Sequence, residues 1–408
     1  MALARATHLS PGPRALPGRG PIILSSGLRP DGLTLPAVSS LLDPNEASLA
    51  YYDGPSGGPK YLGLHALYKE IEAMHWTATE YEDVMHEDRT QWAAVDPATG
   101  RPVISAATRQ FVRYFLALFL YGDELVMRNL ATNVVEQVTI PSARAFFRLQ
   151  IAQEQVHAEV YSLQVFGMMG PDEAAKMEAE SKTWPEINHL VEWADAWMCP
   201  SKGFFHRMLA FACFEGMIFS GAFIALQSLR EMRILNGITI LNELIARDEG
   251  IHARFQIYLL QTFDGVKTIT QEDAHTIVAG AAEGASALCL AALRKGGDPT
   301  VESEGTGALG YPDPEEHPEL YNTAGGGVTA ARLVKYIEWG ANGILLELGY
   351  AALYRGVKEN PLPMMEKMLL NRVEKTNFFE FRGTQYQGAQ EDSFVWGDAD
   401  TGPLRLGC

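Results

Sequence analysis

The chain is short of positive charge. Its 408 residues carry 33 Lys and Arg against 50 Asp and Glu, a net charge of −17 at pH 7. A surface of that sign repels phosphate backbones and anionic lipid, which argues against nucleic acid and against a membrane surface as partners. Cysteine is scarce. The four residues, Cys199, Cys213, Cys289 and Cys408, show no metal-type spacing, and two of them lie in apolar runs, as free thiols of a reducing cytosol do. Long charge-free apolar runs are missing too: none reaches the ~18 residues that a bilayer span needs. Strand-like alternation is nearly absent, and no short-period repeat stands out. The first thirty residues have arginines but no acid before Asp31. A cleaved organelle-targeting peptide shares that composition, but the Pro and Gly content speaks against a continuous amphipathic helix. A flexible arm over 1–45 on a cytoplasmic protein is the expectation.

What is present is helical periodicity in a chain 47% hydrophobic and long enough to bury a large core. The spacing predicts helices over 59–75, 104–131, 142–168, 186–197, 203–233, 238–263, 270–294, 327–356 and 362–371, several of bundle length. Pro141 and Gly170 bracket one of them, and Gly237 precedes another. Residues 295–326, rich in Gly, Pro and acid, read as a surface insertion. From Gly383 onward the chain reads as an acidic flexible tail. The expectation is an all-α domain over 46–375 between an N-terminal arm and a tail over 376–408.

The chemistry lies in carboxylates. Glu-x-x-His occurs five times, at 72/75, 154/157, 186/189, 249/252 and 272/275. Glu186 and Glu272 stand at helix starts, where an acid suits the helix dipole, and Glu72 lies in a polar stretch. The pairs Glu154/His157 and Glu249/His252 instead sit in the middle of long amphipathic patterns. Two more acids stand in runs that look buried all round: Asp123 in "YFLALFLYGD" and Glu215 in "MLAFACFEGMIFSGAF". An unpaired buried carboxylate costs several kcal/mol, so such acids need a cation or a proton. Asp123 precedes Glu154 by 31 residues and Glu215 precedes Glu249 by 34. Each distance suits a helical hairpin that returns to the same level. One pattern is thus stated twice, and four helices aim four carboxylates and two imidazoles at one point. Oxygen and imidazole donors suit iron or manganese better than structural zinc, as in ferritin-like dinuclear carboxylate proteins. Glu154 and Glu249 are the expected bridges, with Asp123 and His157 at one end and Glu215 and His252 at the other.

With these residues in hand, the chain resembles the radical-generating small subunit of class I ribonucleotide reductase, of the eukaryotic and viral sort. The resemblance rests on "YKEIEAMHWT", "GDELVMRNL", "FRLQIAQEQVHAEVYSL", "FEGMIFSGAF", "NELIARDEGIHARF", "YIEWGANGILLELGY", "KTNFFEFR" and "TQYQG". It implies a ferritin-like bundle with two iron ions per chain, manganese being the alternative. It implies that oxygen and an electron donor activate the centre and leave a radical on Tyr161, in an apolar pocket that includes Phe219, Phe223 and Ile245. It also implies a relay through Trp76, Asp248 and the tail residue Tyr386, with Arg247 beside it. The same resemblance implies docking of the tail to a large subunit that reduces ribonucleoside diphosphates. It implies a homodimer as well, with 104–131 and 142–168 near its interface. Segment 77–103, the 295–326 insertion and the terminal "TGPLRLGC" depart from the family pattern. Two other readings stay open on the residues alone. A dimetal oxidase or oxygenase would need no relay, and an iron-binding protein would need no Tyr161.

Overall fold

In the computed structural model, residues 61–263, 265–295, 328 and 330–362 are described. Their regular structure is helical, apart from an isolated antiparallel bridge between Val95 and Pro102. The helices are α1 (Leu62–Glu72), α2 (Glu82–Ala93), α3 (Ala106–Asn129), α4 (Pro141–Ser181), α5 (Pro185–Met198), α6 (Phe204–Cys213), α7 (Phe219–Glu231), α8 (Asn236–Thr262), α9 (Gln271–Lys295) and α10 (Ala330–Glu347).

Local chemistry accounts for the boundaries. Ser105 caps α3 by accepting a hydrogen bond from the Thr108 amide at 3.0 Å. Pro141 opens α4, where its missing N–H is no loss. Gly170 breaks α4 with φ 74° and ψ 168°, a conformation that favours glycine, and helical geometry resumes from Pro171 to Ser181. The predicted stop at 168 is therefore a kink, not an end.

Other expectations need correction. Segment 77–103 holds a 3₁₀ turn at Ala78–Tyr81 and the whole of α2. α2 is mostly polar, and its buried side chains, Met85, Asp88 and Trp92, are too few for a conspicuous apolar stripe. The predicted helix 203–233 arrives as α6 and α7 joined by a π-helical turn, Phe214–Ile218. A second π turn, Leu130–Val134, succeeds α3. The predicted helix 327–356 overruns: α10 ends at Glu347, and Gly349 turns the chain at φ 85°. The arm 1–45, residues 296–326 of the insertion, 363–371 of the last predicted helix and the tail 376–408 lie outside the described residues.

α3 packs along α4, α6 and α7 pack on α8, and α10 packs on α9. Their shared interior contains Tyr114, Phe146, Phe211, Phe223 and Phe255, all essentially inaccessible to solvent. Each such ring contributes roughly 1.5–3 kcal/mol by leaving water. By length and composition alone, Phe204–Arg230 and Gln271–Leu293 could cross a membrane, and 94% and 56% of those windows is buried within the protein. Glu215 interrupts the first and Glu283 the second, so neither is a long charge-free run.

The start of α8 is assembled by α2. Leu235 takes a left-handed conformation (φ 49°), and its amide donates to Gln91 Oε1 at 2.6 Å. The amides of Gly237 and Ile238 donate to the buried Asp88 carboxylate at 2.9 and 2.6 Å. A Cβ on Gly237 would stand 2.5 Å from both Asp88 Oδ2 and the Val84 carbonyl oxygen, so this approach requires glycine.

Candidate metal centre

Four stretches converge. α3 brings Asp123, α4 brings Glu154 and His157, the π turn between α6 and α7 brings Glu215, and α8 brings Glu249 and His252. All six are buried, none more than 1% exposed. A π turn holds one residue more than an α turn, which rotates the remainder of the helix by about 100°. Glu215 sits within that turn, and nothing in the apolar pattern of "FEGMIFSGAF" marks it.

One ligand atom from each of Glu154, Glu215, Glu249 and His252 fits within a mutual 4.8 Å. His252 Nδ1 lies 3.1 Å from Glu154 Oε1, 3.0 Å from Glu249 Oε2 and 3.8 Å from Glu215 Oε2. His157 Nδ1 lies 3.2 Å from Glu154 Oε2 and 3.0 Å from Glu249 Oε1. Glu154 and Glu249 are therefore the carboxylates that both imidazoles share. Asp123 adjoins the cluster electrostatically, and neither of its buried oxygens has a hydrogen-bond partner among the described residues.

The outward ring nitrogens are tied. His157 Nε2 donates to Asp248 Oδ2 at 3.3 Å, and His252 Nε2 to Gln153 Oε1 at 2.9 Å. That leaves each Nδ1 facing the carboxylates, a tautomer set by the outer hydrogen bond. Trp76, in the connection after α1, donates from Nε1 to the same Asp248 Oδ2 at 2.7 Å. Arg247 binds Asp248 Oδ1 through Nε at 3.0 Å and Nη2 at 2.8 Å, and Nη2 also reaches the Met74 carbonyl at 2.9 Å. Trp76, Asp248, Arg247 and His157 thus form one hydrogen-bonded group. Tyr386 lies outside the described residues.

Charge in this space is self-compensating. Burial and repulsion from Glu154 push Asp123 well above the usual carboxylate range, and burial with Glu249 and Glu154 does the same to Glu215. Burial would also raise Glu249, but hydrogen bonds with Glu215 and the charge of His252 bring it below its ordinary value. Burial alone would lower both histidines. Asp248, Glu154 and Glu249 around His157, and Glu249 and Glu154 around His252, hold them well above the ordinary range instead. Asp248, despite burial, is held low by Arg247 and His157. Without metal, these shifts favour the protonated forms of both histidines, Asp123 and Glu215, which offsets the buried negative charge.

Tyr161 is wholly buried, one turn beyond His157. Phe119 stacks on its ring at 4.6 Å, Phe223 stacks on Phe119 at 5.0 Å, and Phe219 stands 5.8 Å from Phe119. Ile245 is buried on α8. The pocket is mostly apolar, as expected, with one polar contact: the Tyr161 hydroxyl donates to Asn242 Oδ1 at 3.1 Å. Sequence reasoning missed Phe119, Asn242 and the glutamines beside the cluster. Gln150 Nε2 donates to Glu215 Oε1 at 2.9 Å, and Gln153 supports His252. A signal existed, since Gln150 and Gln153 each stand one helical turn before a ligand, Glu154 and His157, on the same face of α4.

Comparison with known proteins agrees with this geometry. The family described as "Ribonucleotide reductase, small chain" matches residues 58–293. A small chain of ribonucleoside-diphosphate reductase from African swine fever virus (isolate Pig/Kenya/KEN-50/1950) is 32% identical over 81% of this chain and 90% of its own. The corresponding chain of Nicotiana tabacum is 32% identical over 85% of this chain and 92% of its own. Among solved structures, the ribonucleotide reductase Rnr4 homodimer of Saccharomyces cerevisiae superposes with a TM-score of 0.55. It is 23% identical, over 76% of this chain and 87% of that one.

Proposed function

Because the chain belongs to the ribonucleotide reductase small-chain family, we propose that its buried cluster holds a pair of iron ions and that Tyr161 carries the radical. The chain is a ribonucleoside-diphosphate reductase small chain, the radical-generating subunit of that enzyme. The observation that carries the proposal is the sharing of Glu154 and Glu249 by both imidazoles, the arrangement that bridging carboxylates require. The donor set fits. Four carboxylates and two imidazole nitrogens are hard and borderline ligands that suit iron or manganese. Neither buried oxygen of Asp123 has a hydrogen-bond partner among the described residues, and a cation would satisfy both. Asp123 and His157 would hold one ion, Glu215 and His252 the other, with Glu154 and Glu249 between them. Bound there, the reduced metal supplies the electrons with which oxygen is activated.

The protein's own residues do the rest. Burial of Tyr161 among Phe119, Phe219 and Phe223 excludes water and reductants from the phenol. Asp248 orients His157 and joins it to the buried Trp76 indole. Arg247 fixes Asp248 and the stretch of chain bearing Trp76. In this reading the relay passes from Trp76 to Tyr386 of the tail and on to a large subunit. A second copy of the chain completes a dimer, as in the yeast relative. The buried thiols of Cys213 and Cys289 suit a reducing cytoplasm.

The test is direct. Metal-free protein given ferrous iron and oxygen should bind about two ions per chain and show a tyrosyl signal by electron paramagnetic resonance. Tyr161→Phe should bind the same metal and show no such signal. A full signal in the variant would place the radical elsewhere.

A further inference from the structure

We propose that Asn242 is a positioning residue for Tyr161, its side-chain oxygen holding the phenol while it is reduced and releasing it on oxidation. The inference rests on the reading of Tyr161 as the radical residue. Both side chains are fully buried. The Tyr161 hydroxyl donates to Asn242 Oδ1 at 3.1 Å, and Asn242 Nδ2 donates to the Ile238 carbonyl at 2.7 Å, one turn earlier on α8. The second bond dictates the orientation of the amide: reversed, it would set an oxygen against a carbonyl oxygen. Phe119 fixes the plane of the tyrosine ring by stacking at 10° and 4.6 Å. Ring plane and hydroxyl are thus held from separate helices, α3 and α8.

The chemistry of the two redox states differs at this bond. Oxidation breaks the Tyr161 O–H bond. The electron and the proton both go to the oxygen-derived oxidant that the radical-generating function supplies, which is reduced toward water. Asn242 takes neither, because an amide oxygen is not a base near neutral pH. The resulting phenoxyl oxygen has only lone pairs, and Asn242 meets it with another lone pair, its NH₂ being turned to Ile238. The bond therefore belongs to the reduced state alone. A contact made by one state only shifts the equilibrium toward that state, so Asn242 makes the radical a stronger oxidant. An unbonded hydroxyl in the same pocket would be a buried unsatisfied donor, which is the reason a polar residue stands in an otherwise aromatic pocket.

Resonance Raman spectroscopy of the metal-free full chain tests the bond. A wild-type minus Tyr161→Phe difference isolates one phenol among 15 tyrosines. It should show the Fermi doublet of a hydrogen-bond donor. The same difference on an Asn242→Leu background should show an unbonded phenol, and Asn242→Asp, which keeps the acceptor, should restore the donor doublet. An unchanged doublet in Asn242→Leu overturns the proposal. In protein loaded with iron and oxygen, the radical's half-life against a small reductant should lengthen several-fold in Asn242→Leu at equal metal content. An unchanged or shorter half-life overturns the redox role. A wild type that binds metal but forms no radical would count against the Tyr161 reading, while the doublet still decides for Asn242.

Discussion

At the scale of single residues, the cluster is a set of mutual dependencies. Glu249 touches both imidazoles, so its removal strips a shared carboxylate and leaves two rings short of a partner. Glu249→Ala should therefore lose most of its metal, from about two ions per chain to well under one. Glu272→Ala removes the same residue type from the same Glu-x-x-His spacing in the first turn of α9, and it should load normally. Metal content after gel filtration reads both. Full loading of the Glu249 variant would remove it from the ligand set. Gly122 belongs to this scale as well. A Cβ there would stand 2.5 Å from the Phe219 ring, so a side chain next to Asp123 would press on the aromatic wall of the Tyr161 pocket.

At the scale of elements, α2 and α8 depend on each other through Asp88. Burial raises its carboxyl to about 6, against the pull of the Gly237 and Ile238 amides. A raised folded-state value favours the protonated form. The associated stability is fully present below the unfolded value of 3.8 and is lost as pH rises through about 6. That window corresponds to at most about 3 kcal/mol. Asp88→Asn cannot titrate. It also turns an N–H toward one of the two amides, so it should be less stable overall by about 1 kcal/mol or more. Its deficit should shrink as pH rises from 4 to 7, because only the wild type loses stability there. Urea unfolding of the metal-free proteins at several pH values measures the gap. Parallel curves would mean that Asp88 titrates like an exposed acid.

At the scale of the whole molecule, the charge of −17 bears on how the chain would meet a large subunit, and docking through the tail is a proposal. The tail lies outside the described residues, and its prediction comes from sequence. Phe394, Val395 and Trp396 are apolar and are flanked by Glu391, Asp392, Asp398 and Asp400, a pattern suited to a basic-rimmed groove. A peptide of residues 388–408 should inhibit the assembled reductase by competition, and the inhibition should weaken with salt. Phe394→Ala combined with Trp396→Ala should abolish most association, whereas deletion of 402–408 should be mild. Association of the double variant as tight as that of the parent would move the docking site to the folded body.

Sequence alone sufficed for the all-helical class, and it pointed to Glu154, Glu215, Glu249 and His252, which the fold gathers within 4.8 Å of one another, because buried acids at hairpin spacing have few uses besides holding cations. Helix periodicity and capping are local, so Pro141 and Gly170 were legible as punctuation. Other features exist only once the helices pack. α2 escaped because its few buried side chains gain their environment from α4 and α8, not from its own pattern. The π turn at Glu215 depends on packing around it, since an apolar run has no feature that marks one extra residue. Asn242 is an ordinary polar residue in "NELIARDEG". It becomes the partner of Tyr161 only when α4 and α8 meet, 81 residues apart in the chain, and direct its amide at a hydroxyl that would otherwise have no acceptor.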